Sequence, residues 1–276
     1  MILAIDTGNT HTVLGCLEKD PATGMTILPV HPVAEPFRIT TDRTKTAFEY
    51  AAGIEQIVDL AGVDRHGFEG AVFSSVVPAV TGNISRAVEL VTGLKPLIVG
   101  PGTKTGIRIS IDDPGTIGAD LAATAVAVRN LFPLPCAVID MGTATTITVV
   151  DGDGSFIGGA ILPGVNISMN ALTAGTSLLH SVDLTPPKKP IGSNTIDCMK
   201  SGAIYGTAGQ IDGIIDRFEE SMGIPFASLT ATGGISSVIC PYCRHKITID
   251  TDLLLKGLGI IWDKNSARKD SKNSRT

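Results

Sequence analysis

Ile5-Asp6-Thr7-Gly8-Asn9-Thr10 and Ile139-Asp140-Met141-Gly142-Thr143-Ala144-Thr145-Thr146 are two copies of one pattern. Each follows a short apolar run, 2–5 and 137–139, and each leads back into another, 13–17 and 147–150. The repeating unit is therefore strand, carboxylate, glycine turn, strand. Glycine lets the turn reach positive φ and lets a ligand approach the backbone closely. Successive N–H groups and threonine hydroxyls around such a turn form a nest suited to phosphate oxygens. A carboxylate beside phosphate repels it unless a cation lies between them. A lone Asp-x-Gly marks an ordinary hairpin, but a repeat with the same flanking strands signals duplicated architecture. The pattern predicts two lobes gripping a metal–polyphosphate. A third element, Leu229-Thr230-Ala231-Thr232-Gly233-Gly234-Ile235-Ser236-Ser237, reads as strand, Gly-Gly turn and helix start. Its bare backbone offers a shelf against which a nucleoside can lie flat.

The chain has 276 residues, 43% hydrophobic, with 31 glycines and a formal net charge of −5. That length suits one large domain or two small ones. The last segment, 264–276, holds Lys264, Arg268, Lys269, Lys272 and Arg275 against Asp270, so the remainder is near −9. An acidic body argues against a broad nucleic-acid surface. The basic tail, 265–276, lacks apolar periodicity and is expected to be disordered. Cysteines at 16, 136, 198, 240 and 243 are odd in number and irregular in spacing. They are expected to be reduced thiols of a cytoplasmic protein. No apolar run approaches the ~20 residues of a membrane helix. Cys240-Pro241-Tyr242-Cys243 with His245 lacks the second ligand pair of a zinc site, and reads as a loop.

Along the chain, strands are expected at 2–5, 13–17, around 36–39, 71–77, 97–99 and 107–111. Helices are expected at 47–61, 79–91 and 118–131, the first opened by a Thr46/Glu49 capping box. The turn cluster Asp112-Asp113-Pro114-Gly115 suggests a domain change there. The second part reads as strand 136–139, a hairpin 145–150 and 156–161, and a helix about 164–180. After a loop at 185–192 come a long helix from about 195, a strand at 227–231, a short helix at 235–240, a strand at 246–250 and a final helix at 252–264. This is an α/β chain with an N-terminal lobe, 1–117, a C-terminal lobe, 118–264, and the tail.

These residues resemble the actin, sugar kinase and Hsp70 ATPase superfamily and, more closely, the type III pantothenate kinase family. The matching stretches are Ile5 to Val13, Ser74-Ser75-Val76-Val77-Pro78, Val99-Gly100-Pro101-Gly102 and Thr105-Gly106. They continue with Gly118-Ala119-Asp120, Asp140 to Thr146, Gly158-Gly159-Ala160-Ile161, Pro163-Gly164, Asn194-Thr195 and Ala231 to Gly234. The resemblance implies two duplicated actin-like (ribonuclease H-like) lobes with a nucleotide cleft between them. It implies transfer of phosphate from ATP to the terminal hydroxyl of pantothenate, the first step toward coenzyme A. Mg²⁺ with the nucleotide, a monovalent cation (K⁺ or NH₄⁺) and a homodimer are implied as well. It assigns Asp6, Thr7, Gly8, Asn9, Thr10, His11, Thr12 and Val13 to the first phosphate loop, and Thr143, Gly233 and Gly234 to the nucleotide. It gives Asp140 to the monovalent cation, and Gly118, Ala119, Asp120, Leu121 and Thr195 to pantothenate, with Asp120 as general base. A primary alcohol needs a positioned carboxylate to take its proton. At a helix start the dipole favours the ionised form of Asp120.

The chain departs from the family at two positions: Leu121 stands where an arginine is usual, and Ile111 where a tyrosine is usual. Arginine is a forked, permanently charged partner for carboxylate or phosphoryl oxygens, and leucine is not. Arg108 is near in sequence, on the strand face opposite Ile109. A paralogue that binds nucleotide or pantothenate as a regulatory or accessory protein is one alternative. A kinase for a related alcohol lacking the carboxylate is another.

Overall fold

The structure, a computed structural model, describes residues 1–30 and 36–273, with backbone alone at 29–30 and 267–273. The strands among the described residues are, in order, β1 (Ile2–Thr7), β2 (His11–Lys19), β3 (Thr26–Val30), β4 (Phe37–Thr40), β5 (Gly70–Ser75), β6 (Leu97–Ile98), β7 (Arg108–Ile109), β8 (Cys136–Met141), β9 (Ala144–Val150), β10 (Ser155–Pro163), β11 (Ser228–Thr232) and β12 (Thr248–Ile249). The α-helices are α1 (Ala47–Leu60), α2 (Pro78–Thr92), α3 (Ala119–Leu131), α4 (Val165–Ala174), α5 (Thr195–Ser201), α6 (Thr207–Met222), α7 (Ser236–Ile239) and α8 (Leu253–Asn273). They form two compact units: Met1–Arg108 with Asp112–Leu131 and Asp252–Thr276, and Ile109–Ile111 with Phe132–Thr251.

The expected duplication is visible in the sheets. The first runs β3-β2-β1-β5-β6, with β4 also on β2; the second runs β12-β11-β8-β9-β10-β7. In each, a hairpin pairs antiparallel (β1 with β2, β8 with β9). The first strand of that hairpin then pairs parallel with a later one (β5 or β11). In the first unit, Leu3 and Ile5 pack with Tyr50, Ile54 and Val58 of α1 and Val80, Ile84 and Val88 of α2. Alternation turns Ile2, Ala4 and Asp6 to the opposite face. There α8 lies close: Trp262 packs on Gly70, the register partner of Ile2. The Thr46/Glu49 capping box forms as expected, with Thr46 N–H donating to Glu49 at 2.8 Å and Glu49 N–H to the Thr46 hydroxyl at 3.3 Å. In the second unit, Ala137, Ile139 and Ile147 pack with Ile211 and Ile215 of α6 and with Ile239.

Several expectations are corrected. The helix at 119–131 was assigned to a C-terminal lobe beginning at 118, but it belongs to the first unit, as does the final helix. Its run Ala122–Val128 is buried throughout. Such a helix must be covered on all sides, and its sequence does not say by which sheet. The partner is α8: a Cβ on Gly257 would overlap the Ala123 carbonyl, so the helices meet backbone to backbone. Nor is the tail expected at 265–276 irregular throughout, because α8 continues to Asn273. Extending a helix that tertiary packing has already nucleated costs little. Residues 274–276 of that tail lie outside the described residues. The strand β3 is not among the strands expected from the sequence. It is fixed from afar, by Asp263 accepting the Thr26 N–H at 2.8 Å and hydroxyl at 2.6 Å. The helix expected to reach 180 stops at Ala174.

The backbone contact of α3 and α8 sets a stability test. Gly257→Val is expected to lower unfolding free energy by about 1–3 kcal/mol, since the overlapped atom is backbone and cannot move aside. Gly82→Ala, on the exposed side of α2 with nothing within 4 Å, is expected to raise it by about 0.5–1 kcal/mol. Urea midpoints at unchanged m-value check both.

Candidate functional site

In the first unit the sheet register lines up one row across four strands: Ser74 on β5, Asp6 on β1, Val13 on β2 and Arg38 on β4. Asp6 is 9% exposed. The hairpin beyond it closes when Gly8 N–H donates to His11 O at 3.0 Å. Two neighbours hold this tip. Thr41 N–H donates to Thr10 O at 3.0 Å on the β4 side, and Val76 N–H donates to Thr7 O at 3.1 Å on the β5 side. The hydroxyls of Thr7 and Thr12 are 3.2 Å apart, and Thr12 continues to Thr41 at 3.0 Å. Thr7 and Thr12 are fully buried, so their hydroxyls brace the turn from beneath. Gly8, Asn9, Thr10 and His11 are the part that reaches solvent.

Asp120 belongs to the same unit. Its segment reaches the hairpin through Val76: a Cβ on Gly118 would lie 3.7 Å from Val76 Cγ1 and would overlap Asp120 Oδ1. Gly118 is thus the residue over which the carboxylate folds back. Asp120 Oδ1 accepts the Leu121 N–H at 2.8 Å. Burial nevertheless pushes the Asp120 carboxyl above its ordinary value, outweighing that hydrogen bond. The helix-start argument favoured the ionised form; desolvation opposes it and prevails. Ala119 and Leu121 are half-buried beside it.

The second unit repeats the row, with Asp140 in register with Thr146 on β9 and Thr232 on β11. Gly142 N–H donates to Ala144 O at 3.0 Å. Two glycines pack onto this turn. A Cβ on Gly164 would overlap the Thr143 carbonyl, and one on Gly233, whose φ is +91°, would sit 2.6 Å from the Met141 backbone. Gly142-Thr143, Pro163-Gly164 and Gly233-Gly234 are therefore brought together, leaving Thr143 and Gly234 exposed. Thr195 lies in the first turn of α5, exposed, behind an Asn194 side chain that accepts the Asp197 N–H at 2.9 Å.

Both rows contain buried hydroxyls that lack a hydrogen-bond partner among the described residues: Ser74 beside Asp6, Thr146 beside Asp140, and neighbouring Thr145. Buried hydroxyls are normally satisfied. Oxygen donors next to a carboxylate suit a hard cation or its water, so these residues fit the cations that the sequence implies. Of the two departures, Leu121 is in the first unit. Ile111 is in the second, its Cγ2 3.8 Å from where a Cβ on Gly158 would lie. Sequence reasoning missed the bracing role of Thr41 and the packing of Gly164, since both depend on contacts far along the chain. Ser74 and Thr146 appeared in the motifs without a role, and register supplies their place beside the carboxylates.

A family model described as type III pantothenate kinase matches residues 2–217. The type III pantothenate kinase of Moorella thermoacetica is 39% identical over 96% of this chain and 100% of its own length. That of Koribacter versatilis is 39% identical, covering 97% of each chain. Among solved structures, a Baf-family protein of Campylobacter jejuni superposes with a TM-score of 0.58 at 16% identity, over 96% of this chain and 99% of that one. A likeness at that identity speaks to the fold alone.

The buried hydroxyls make a direct test. Ser74→Ala is expected to leave ligand-free stability unchanged or raised, because it removes a polar group without a partner. Thr12→Val is expected to cost about 1–3 kcal/mol, because it strands the hydroxyls of Thr7 and Thr41. Thermal unfolding of the ligand-free protein decides; a large loss in Ser74→Ala would mean that the hydroxyl is already satisfied.

Proposed function

The chain belongs to the type III pantothenate kinase family, and from that premise we propose how its residues carry out that family's reaction, phosphorylation of the terminal hydroxyl of pantothenate by ATP. Asp120 is the general base. It takes the hydroxyl proton as the oxygen–phosphorus bond forms, and it is suited to this because burial raises its proton affinity. The exposed tip Gly8–His11 presents backbone N–H groups to phosphate oxygens, with Asp6 and Ser74 on the cation side. Magnesium, when bound with the nucleotide, offsets charge between phosphate and carboxylate. Asp140, with Thr146 in its row, takes the monovalent cation; replacing K⁺ with a bulky organic cation should then slow turnover. Thr143 and the Gly233-Gly234 shelf contact the nucleotide. Gly118, Ala119, Leu121 and Thr195 line the pantothenate side.

The observation that carries this reading is the half-buried Asp120 linked through Val76 to the Asp6 hairpin, in a chain matched to the family over nearly all its length. A homodimer belongs to the same proposal. The second unit exposes Ile161 (78%), Leu178 (85%), Ile191 (82%) and Ile196 (56%), and apolar side chains exposed in such number mark an interaction surface. Sedimentation at twice the chain mass checks it. A cytoplasmic location rests on five unpaired cysteines. Among the described residues no helix is long and apolar enough to cross a membrane.

A coupled assay with ATP, Mg²⁺, K⁺ and pantothenate tests the activity. Turnover only of a carboxylate-free alcohol would redirect the substrate, and none with either would favour an accessory role. Asp120→Asn is expected to cut kcat by about 10²–10⁴ while leaving the KM for ATP near wild type. In the wild type, the base form is lost as pH falls through the raised Asp120 pKa. The acid limb of kcat should therefore lie above the ordinary aspartate range, and it should vanish in Asp120→Asn.

Leu121→Arg restores the family's charge. Since a charged hydrogen bond is worth roughly 1.5–3 kcal/mol, the KM for pantothenate should fall about tenfold or more. An unchanged KM would show that another group already holds the carboxylate, with Arg108 the first to substitute.

A further inference from the structure

Arg38 is the fourth member of the row Ser74, Asp6, Val13, Arg38. Residues in register on neighbouring strands share a face. Arg38 therefore stands on the Asp6 face of the first sheet, opposite the face of Phe37 and Ile39, which pack with the α1–α2 core. It is exposed, and its side chain has neither an ion pair nor a hydrogen bond among the described residues. With strands about 4.8 Å apart, its Cα lies about 10 Å from that of Asp6, with only the small apolar Val13 between. The strand positions it firmly: β4 pairs with β2 through four register partners, and the Thr41 N–H that follows is bonded to the hairpin tip.

The row has a direction. The Asp120 segment reaches the hairpin at Val76, just past β5, whereas Arg38 stands on β4 at the other end, about 14 Å away across three strand spacings. Phosphoryl transfer is in line: the acceptor oxygen attacks phosphorus opposite the oxygen that leaves. With the base at the β5 end, the leaving diphosphate points toward β4. The bond from acceptor oxygen to phosphorus forms, the bond from phosphorus to the diphosphate oxygen breaks, the hydroxyl proton passes to Asp120, and the departing diphosphate gains negative charge. A guanidinium there meets that charge with a forked pair of N–H donors.

We propose that Arg38 is a nucleotide-contacting residue that binds the diphosphate oxygens of the leaving nucleotide, supplying on the leaving side the arginine charge that position 121 lacks on the acceptor side. This rests on the kinase reading above. Lys45, the next lysine along the chain, is occupied otherwise, its ammonium 5.8 Å from the Tyr50 ring centre. Arg43, exposed on the loop after β4, is outside the row and serves as the control.

The experiment measures binding of MgADP and of adenosine, with turnover alongside, in wild type, Arg38→Ala, Arg38→Lys and Arg43→Ala. Arg38→Ala should weaken MgADP about tenfold or more, leave adenosine within about twofold and lower kcat. Arg38→Lys should recover part of the loss, and Arg43→Ala should match wild type. An Arg38→Ala protein with wild-type MgADP affinity overturns the proposal. So does equal weakening of MgADP and adenosine, which would mark a structural role. A wild type that neither binds MgADP nor phosphorylates an alcohol fails at the kinase reading instead, and takes this proposal with it.

Discussion

A carboxylate at the end of a buried central strand, one or two residues before a glycine turn, is the constraint on which both units are built. Asp6 lies in the middle of the first sheet and Asp140 in the middle of the second. An ionised carboxylate in that setting is costly unless hydrogen bonds or a cation compensate it. The surroundings are arranged around that need. The strand partners at the same level are Ser74 in one unit and Thr146 and Thr232 in the other, all hydroxyl residues rather than hydrocarbon. Two of those hydroxyls lack hydrogen-bond partners among the described residues. An apolar residue at either position would improve the core and remove an oxygen donor from beside the carboxylate. The sheet is locally less stable than it need be at the positions where a cation would make up the difference.

The turn itself is rigid for reasons that lie underneath it. Thr7, Thr12 and Thr41 form a line of hydroxyls below the first hairpin. Gly164 and Gly233 press on the second hairpin so closely that no side chain fits. These are different solutions to one problem. In the first unit, side chains brace the turn; in the second, backbone packs on backbone. A duplicated fold thus keeps the carboxylate, the glycine and the register, while the supports have diverged.

That distinction explains what the sequence makes legible. The hairpins are local: carboxylate, glycine and flanking apolar runs lie within a few residues, so both were readable, as was the Thr46/Glu49 cap. Membership of a unit is not local. Ala122–Val128 announces burial but names no partner, and the partner is a helix more than a hundred residues later whose Gly257 permits the approach. β3 was unreadable for the same reason, because its anchor is Asp263. The continuation of α8 beyond the packed region runs against composition, which favoured disorder, and follows instead from cooperative extension of an established helix. In the site, the motif residues were legible, but the row that joins Ser74, Asp6 and Arg38 was not. Register across four strands exists only once the sheet is formed.

The same row bears on the missing arginine. The two departures from the family lie in different units, Leu121 beside Asp120 and Ile111 beside Gly158. Leu121 places hydrocarbon next to Asp120, the carboxylate proposed as general base. An arginine there would hold the Asp120 carboxyl down through its charge; leucine leaves desolvation as the largest influence, and the carboxyl rises. A weaker acid is a stronger base, so leucine at this position suits the role of general base proposed for Asp120. Positive charge for the phosphates is a separate requirement. On this face of the sheet, Arg38 is already held in line with Asp6 by backbone pairing that does not depend on position 121. Loss of the acceptor-side arginine thus leaves the leaving-side charge in place, which separates the two demands of the reaction: recognising the alcohol and carrying away the diphosphate.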